Sequence, residues 1–229
     1  MNRAGAVLQY CQRLTIRTLG KAIDMAIDTH AIELKLVRRD DSVALDLRPL
    51  QGLWTEAQYL RLTNQTNNLI EFSDGTIEVL PTPTRSHQLI VRWLFLAFYA
   101  WLQPRNGLVL FAPLRVQIRP GKQREPDIVL LLDATDPRNQ EAYWLGADLV
   151  VEVVSPDDPE RDTHVKRSDY AEASIPEYWI VNPIEEAVTV LTLRDDQYTT
   201  YGSYGRGERA YSRLLAGFSI SVDETFDVG

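Results

Sequence analysis

The apolar run DLVVEVV, residues 148–154, constrains the fold more than any other part of the chain. A run of this length and composition predicts a strand in apolar surroundings. Glu152 interrupts the run, and leaving an unpaired carboxylate in such surroundings costs several kcal/mol. The strand therefore requires a group that balances the charge of Glu152.

The segments around this strand predict an α+β fold with a central mixed sheet. The predicted central elements are a helix at 87–102 with Ser86 as its N-cap, strands at 107–119, 125–132 and 148–154, a helix at 157–173 and a strand at 175–183. Short connections between consecutive strands favour an antiparallel meander, whereas the later helix can cross over to a parallel strand. The order is therefore α-β-β-β-α-β, with helices flanking the sheet.

Further strands are predicted on both sides of this core. They are the strands 31–37 and 43–47, a hairpin at 68–81 around Asp74-Gly75 and a last hairpin across Asp195-Asp196, while Thr55 can cap a short helix over 56–62. We expect residues 25–229 to form one domain. Residues 1–24 form a basic extension that could be a short helix or a disordered tail, and Met25 is an alternative start site.

Composition excludes several classes of protein. The net charge of −8 argues against coating nucleic acid through bulk charge, although a local basic face stays open. The single Cys11 excludes a disulfide framework and a cysteine-based zinc cluster. No apolar run approaches the ~20 residues of a membrane span, and no secretory signal is evident, so we expect a cytoplasmic protein without a membrane partner.

Two carboxylates are expected to converge at one end of the sheet. In an antiparallel meander, Asp127 at the start of one strand lies beside Glu152 near the end of the next. Two such carboxylates repel each other unless a cation intervenes, and Mg²⁺ often takes one or two carboxylates plus waters. Alternatively, Glu152 pairs with an arginine such as Arg115, or reaches solvent at a sheet edge.

The chain resembles the PD-(D/E)xK nuclease superfamily through EPD at 125–127 and VEV at 151–153. More closely, it is similar to the restriction-endonuclease-like proteins called the Uma-two family. The resemblance covers roughly residues 55–225 and rests on FSDGTIEVLPTP followed by a histidine, REPDIVLL, DLVVEVVSP, RDTHVKRSDY, IPEYWIVNP and LLAGFSI. It implies a restriction-endonuclease-like core with extra N-terminal and C-terminal strands.

The resemblance also implies an activity and a set of site residues. It implies a metal-dependent endonuclease that cleaves nucleic acid, with double-stranded DNA as the expected substrate, Asp127 and Glu152 as ligands of Mg²⁺ or Mn²⁺, and a homodimer as the expected assembly. Val154 occupies the position where the superfamily has its lysine, and Lys166 on the following helix is the matching residue. Lys166 would assist the attacking water or stabilise phosphate charge, or it could form a surface pair with Asp162.

Two further residues are candidates for the same site. The family pattern places a histidine where His87 stands, although a structural histidine at a helix N-terminus is an equal alternative. Glu78, on the hairpin that also carries Glu71, could supply a further carboxylate. Tyr170 is expected to pack rather than to act.

Two rival functions stay open on the sequence. The fold could be a non-catalytic nucleic-acid-binding or assembly module with a degenerate site, which the net charge and Val154 favour. Asp127 and Glu152 could also be a metal-free acid/base pair for glycoside chemistry.

Overall fold

The structure is a computed structural model that describes residues 6–8, 35–38, 44–46, 48–155 and 164–228. The predictions for most of residues 1–24, for Met25 and for Asp162 lie outside these ranges. The chain divides into two compact units, residues 1–80 and 81–229, which are described separately. The expectation of one domain over 25–229 stays a prediction.

The first unit contains a small sheet, a helix and a hairpin. Its elements are β1 (Ala6–Leu8), β2 (Lys35–Arg38), β3 (Ala44–Asp46), α1 (Glu56–Thr63), β4 (Ile70–Ser73) and β5 (Thr76–Val79). Strands β1, β2 and β3 pair antiparallel in that order. Thr55 caps α1 as predicted: its side chain accepts a hydrogen bond from the Gln58 backbone N–H, and the Gln58 side-chain oxygen accepts one from the Thr55 backbone N–H.

The predicted hairpin at Asp74-Gly75 is present. Both turn residues have positive φ, +47° and +83°, which is the backbone of a tight two-residue hairpin turn. A Cβ at Gly75 would also lie 2.5 Å from the Gly52 carbonyl oxygen, so this position requires glycine. The hairpin and α1 enclose a small core in which Tyr59 stacks on Phe72.

The second unit contains the central sheet. Its elements are α2 (Arg85–Leu102), β6 (Leu108–Phe111), β7 (Val116–Arg119), β8 (Lys122–Arg124), β9 (Ile128–Leu131), β10 (Leu149–Val153), α3 (Lys166–Glu172), β11 (Glu177–Asn182), β12 (Ala187–Arg194), β13 (Gln197–Tyr204), β14 (Arg209–Tyr211), β15 (Ser219–Ser221) and α4 (Val222–Phe226). The six-stranded sheet has the order β13-β12-β11-β10-β9-β6. Only the β10–β11 pair within it is parallel, and α3 lies in the connection between those strands. The predicted α+β class with a mixed sheet is confirmed.

Three predicted element boundaries are wrong. Thr84, rather than Ser86, caps α2, and its hydroxyl accepts from the His87 N–H at 3.2 Å. The strand predicted over 107–119 with a kink at Pro113 is interrupted at that proline as expected, but the interruption separates two strands, β6 and β7, because proline cannot donate to a ladder. The strand predicted over 125–132 begins only at Ile128, because the preceding Lys122–Arg124 pairs with β7 as a separate strand.

Apolar side chains cover both faces of the central sheet. One face packs on α2, where Leu94 and Phe98 contact residues including Val151 and Trp179. The other face carries Val129, Val150 and Tyr178, and Tyr170 of α3 packs in the same cluster. Alternation along β10 directs Glu152 toward this second face, between Val150 and Val154.

The outer strand β13 carries an irregularity. Val190 pairs with Gly202 and Leu191 with Thr200, so Tyr201 is an extra residue that bulges out of the ladder. In the described part of the chain, no helix combines the length and the apolar character that crossing a membrane requires.

Candidate functional site

The structure gives Glu152 two partners from one helix. The Lys166 ammonium Nζ lies 2.7 Å from Glu152 Oε2, and the Tyr170 hydroxyl donates a hydrogen bond to Glu152 Oε1. The Glu152 and Lys166 side chains are only 3% and 6% exposed. The charge of Glu152 is therefore balanced inside the protein by Lys166, and the alternative in which Glu152 reaches solvent is wrong.

Helical spacing explains why one helix supplies both partners. Lys166 and Tyr170 are four residues apart on α3, so their side chains lie on the same face of the helix. Because α3 crosses from β10 to β11, this face is turned toward the strand that carries Glu152. The alternative of a solvated surface lysine does not describe Lys166, which is buried.

Asp127 lies directly across the strand pair from Glu152. Val151 pairs with Ile128 in the antiparallel β9–β10 ladder, so the next position of the same register joins Glu152 to Asp127. Asp127 immediately precedes β9, so the register brings the two residues to neighbouring positions, and the approach of their carboxylates stays a prediction.

The Asp127 carboxylate is held by two donors. Its Oδ2 accepts the Val153 backbone N–H at 2.8 Å and lies 3.1 Å from His87 Nε2. The Asp127 and His87 side chains are both 14% exposed, which makes them more accessible than Glu152. The Thr84 cap fixes the first turn of α2, and this turn brings the His87 ring to Asp127, just before the first residue of β9.

The donor chemistry of this pair fits a hard divalent cation. Within the described ranges, no three His, Cys, Asp or Glu side chains are grouped so that they could hold a metal ion. Mg²⁺ does not require three, since it is commonly bound through one or two carboxylates and keeps several waters. Asp127 and Glu152 are carboxylates of this kind, and their joint binding of a metal ion stays a prediction.

The last predicted site residue, Glu78, belongs to the other compact unit. It lies on β5, directly opposite Glu71 on β4, and its side chain is exposed whereas Glu71 is fully buried. Its participation in the site stays a prediction.

Two further residues of α3, Asp169 and Glu172, belong to a charged network that could not be seen in the sequence. Asp169 is buried and accepts from Lys122 Nζ at 2.8 Å and from Arg124 Nη2 at 2.7 Å. Glu172 accepts from the same Lys122 ammonium at 2.8 Å and from Arg119 Nε at 2.7 Å. The network connects α3 to the β7–β8 hairpin, so the same helix contacts both this hairpin and Glu152.

The network changes the protonation behaviour of its members. Partial burial lowers the pKa of Lys122, but hydrogen bonds to Asp169 and Glu172 outweigh this effect and leave it raised. The hydrogen bond from Lys122 is the main reason that the pKa of Glu172 lies below its ordinary value of 4.5, with burial opposing it and Arg119 adding to it. The folded protein therefore favours the ionised form of Glu172.

We expect Glu172 to contribute stability that is lost in acid. Because its pKa is lower in the folded state, the contribution is complete above its ordinary value of 4.5 and disappears as pH falls through the folded-state value. Urea midpoints measured from pH 6 to pH 3 should show wild type falling more steeply than Glu172→Gln. Glu185→Gln, which removes an exposed carboxylate elsewhere, is the control and should follow wild type. Parallel curves for wild type and Glu172→Gln would contradict the expectation.

Glu177, in the IPEYWIVNP motif, is another fully buried carboxylate. Its Oε1 accepts from Trp179 Nε1 at 2.7 Å and from Ser212 Oγ at 2.6 Å. Its Oε2 accepts the backbone N–H groups of Arg213 and Leu214, both at 2.8 Å. Glu177 therefore holds the turn after β14 against β11, and this structural role accounts for a glutamate at this position of IPEYWIVNP.

Comparisons with known proteins support the resemblance seen in the motifs. Residues 56–223 match the model of the Uma2 family, whose description is "Putative restriction endonuclease". The fold is similar to the crystal structure of "a putative nuclease belonging to DUF820" from Anabaena variabilis, with a TM-score of 0.64, 20% identity and coverage of 76% of this chain and 98% of that chain. That likeness shows a nuclease-like fold. A comparison with curated proteins found no match. The family model spans most of the sequence, and the chain belongs to the Uma2 family of restriction-endonuclease-like proteins.

Proposed function

We propose that the protein is a metal-dependent endonuclease that hydrolyses phosphodiester bonds in double-stranded DNA, with Asp127 and Glu152 binding Mg²⁺ or Mn²⁺. The observation that carries the proposal is the contact between Lys166 Nζ and Glu152 Oε2 at 2.7 Å, on the strand next to Asp127. An aspartate, a glutamate and a lysine are the three residue types of the superfamily motif. The lysine comes from α3 rather than from β10, where Val154 occupies its usual position.

Each residue has a distinct role in this proposal. A bound divalent cation would lower the pKa of an attacking water and stabilise the developing phosphate charge. Asp127, the residue before β9, and Glu152, on β10, would supply carboxylate oxygens from neighbouring positions of the two paired segments. Lys166 carries a proton and a positive charge next to Glu152, so it can orient the attacking water or stabilise a phosphate oxygen. His87, at 3.1 Å from Asp127 Oδ2, orients that carboxylate.

The choice of substrate follows from the relatives. The family description names restriction endonucleases, and the structural neighbour is titled a nuclease. Double-stranded DNA is the substrate that such a description implies, and a homodimer would match the two-fold symmetry of a duplex. The negative net charge of −8 means that DNA affinity would depend on a local basic surface and on the cation rather than on bulk charge.

Plasmid nicking tests the proposal directly. Supercoiled DNA incubated with the full-length protein should be converted to open-circle and linear forms with Mg²⁺ or Mn²⁺, and not with EDTA. Asp127→Ala and Lys166→Ala should both fall to the background of a reaction without protein. Asp196→Ala and Arg194→Ala, at exposed positions near the last hairpin, are the controls and should keep wild-type activity.

Two outcomes would reject the assignment. Equal nicking by wild type, Asp127→Ala and Lys166→Ala would show that the activity does not come from this site. DNA binding without nicking under any of these metal conditions would favour the non-catalytic binding module instead. Circular dichroism of each variant would confirm that the fold is retained before activities are compared.

A further inference from the structure

Tyr170 is a buried residue whose hydroxyl reaches the candidate site. Its side chain is fully buried, and its ring lies edge-on to Tyr178 with the centroids 5.1 Å apart. Its hydroxyl donates to Glu152 Oε1, while Lys166 holds Oε2. The two oxygens of one carboxylate are thus held by two different donors from consecutive turns of α3.

These two donors differ in how readily a cation could replace them. Lys166 is a positively charged group on a flexible four-carbon stem, so it competes with any other cation for the same oxygen. Tyr170 is neutral, rotates about only two side-chain bonds and is packed on all sides. A divalent ion approaching Glu152 would therefore displace the ammonium and leave the phenol in place.

We propose that Tyr170 is a positioning residue, which fixes Glu152 Oε1 and thereby directs a divalent cation to Oε2 in exchange for the Lys166 ammonium. This inference rests on the proposed function, because it assumes that Glu152 is a metal ligand. It adds a regulatory property to that function: Lys166 is released from the carboxylate as the metal enters, and so becomes available to the attacking water or to phosphate.

The exchange predicts opposite effects of two substitutions on metal affinity. Removing the competing charge in Lys166→Met should tighten Mn²⁺ binding by about tenfold. Removing only the hydroxyl in Tyr170→Phe should weaken Mn²⁺ binding by about tenfold, within the range found for groups that orient metal ligands. General damage to the site would weaken binding in both variants, so the opposite signs distinguish positioning from mere support of the fold.

Titration calorimetry with MnCl₂ on the full-length protein measures both effects. Tyr198→Phe is the matched control, because this buried tyrosine donates its hydroxyl to the Ile175 carbonyl at 2.6 Å instead of to a candidate ligand. Its Mn²⁺ affinity should equal that of wild type. If Lys166→Met is too unstable to titrate, Lys166→Gln replaces it, and Tyr170→Phe tests the positioning role independently.

The outcomes separate this inference from the proposed function. Absence of Mn²⁺ binding to wild type, or binding that persists in Glu152→Gln, would reject the metal site itself. Glu152-dependent binding with Tyr170→Phe indistinguishable from Tyr198→Phe would overturn the positioning role. Glu152-dependent binding that the loss of the Lys166 charge does not tighten would overturn the exchange.

Discussion

Replacing Lys166 by methionine is expected to lower the free energy of unfolding by about 3–5 kcal/mol, the usual cost of removing one partner of a buried ion pair. The Lys166 and Glu152 side chains are 6% and 3% exposed, so water cannot solvate the carboxylate that is left behind. The Tyr170 hydrogen bond compensates only part of its charge. Urea denaturation at pH 7, followed by tryptophan fluorescence, would measure the loss.

The double variant tests whether the cost comes from the stranded charge. Lys166→Met combined with Glu152→Met removes both charges and keeps comparable volumes, so it should recover most of the lost stability. Arg194→Met, at an exposed position of the last hairpin, is the control and should change stability by less than about 0.5 kcal/mol. A double variant less stable than Lys166→Met alone would contradict this account.

A loss of similar size is expected for Glu177→Leu. This substitution leaves the Trp179 indole N–H, the Ser212 hydroxyl and two backbone N–H groups buried without their acceptor. Each unsatisfied buried donor costs about 1–3 kcal/mol, and rotation of the serine hydroxyl relieves part of the total, so we expect about 3–5 kcal/mol. The measurement is the change in urea midpoint at pH 7.

Glu177→Gln should be intermediate, because it keeps one acceptor oxygen and turns an amide group toward the remaining donors. Glu185→Leu, at an exposed position, should change stability by less than about 0.5 kcal/mol. Glu177→Leu with wild-type stability would show that water replaces the lost acceptor.

Much of this fold could be predicted from local patterns. The hairpin at Asp74-Gly75, the Thr55 cap and the strand around Glu152 follow from turn chemistry, capping and apolar runs, all of which act over a few residues. The boundaries of β7, β8 and β9 could not be predicted in this way. They depend on which strand each segment pairs with, and pairing partners are distant in sequence.

The candidate site also combines features that could be predicted from local sequence patterns with features that could not. The neighbouring positions of Asp127 and Glu152 in the β9–β10 register follow from the meander alone, whereas assigning the lysine role to Lys166 depended on family resemblance. Tyr170 packs in the core as predicted, but its hydrogen bond to Glu152 could not be predicted, because an i,i+4 position on a helix face predicts proximity and not a hydrogen bond. The contacts of Asp169 with Lys122 and Arg124 could not be found from spacing, since they join residues more than 40 positions apart.

The bulge at Tyr201 has a consequence for how the protein behaves at high concentration. Strand β13 is eight residues long and lies at one edge of the six-stranded sheet. Its sequence, QYTTYGSY, contains no charged residue and no proline that would discourage pairing with another molecule. Natural proteins commonly protect such edges by those means or by a local distortion. The extra residue bends the strand and interrupts its regular row of donors and acceptors. Aggregation through this edge is therefore opposed by backbone shape rather than by charge, and deletion of Tyr201 would regularise the edge that the bulge now protects.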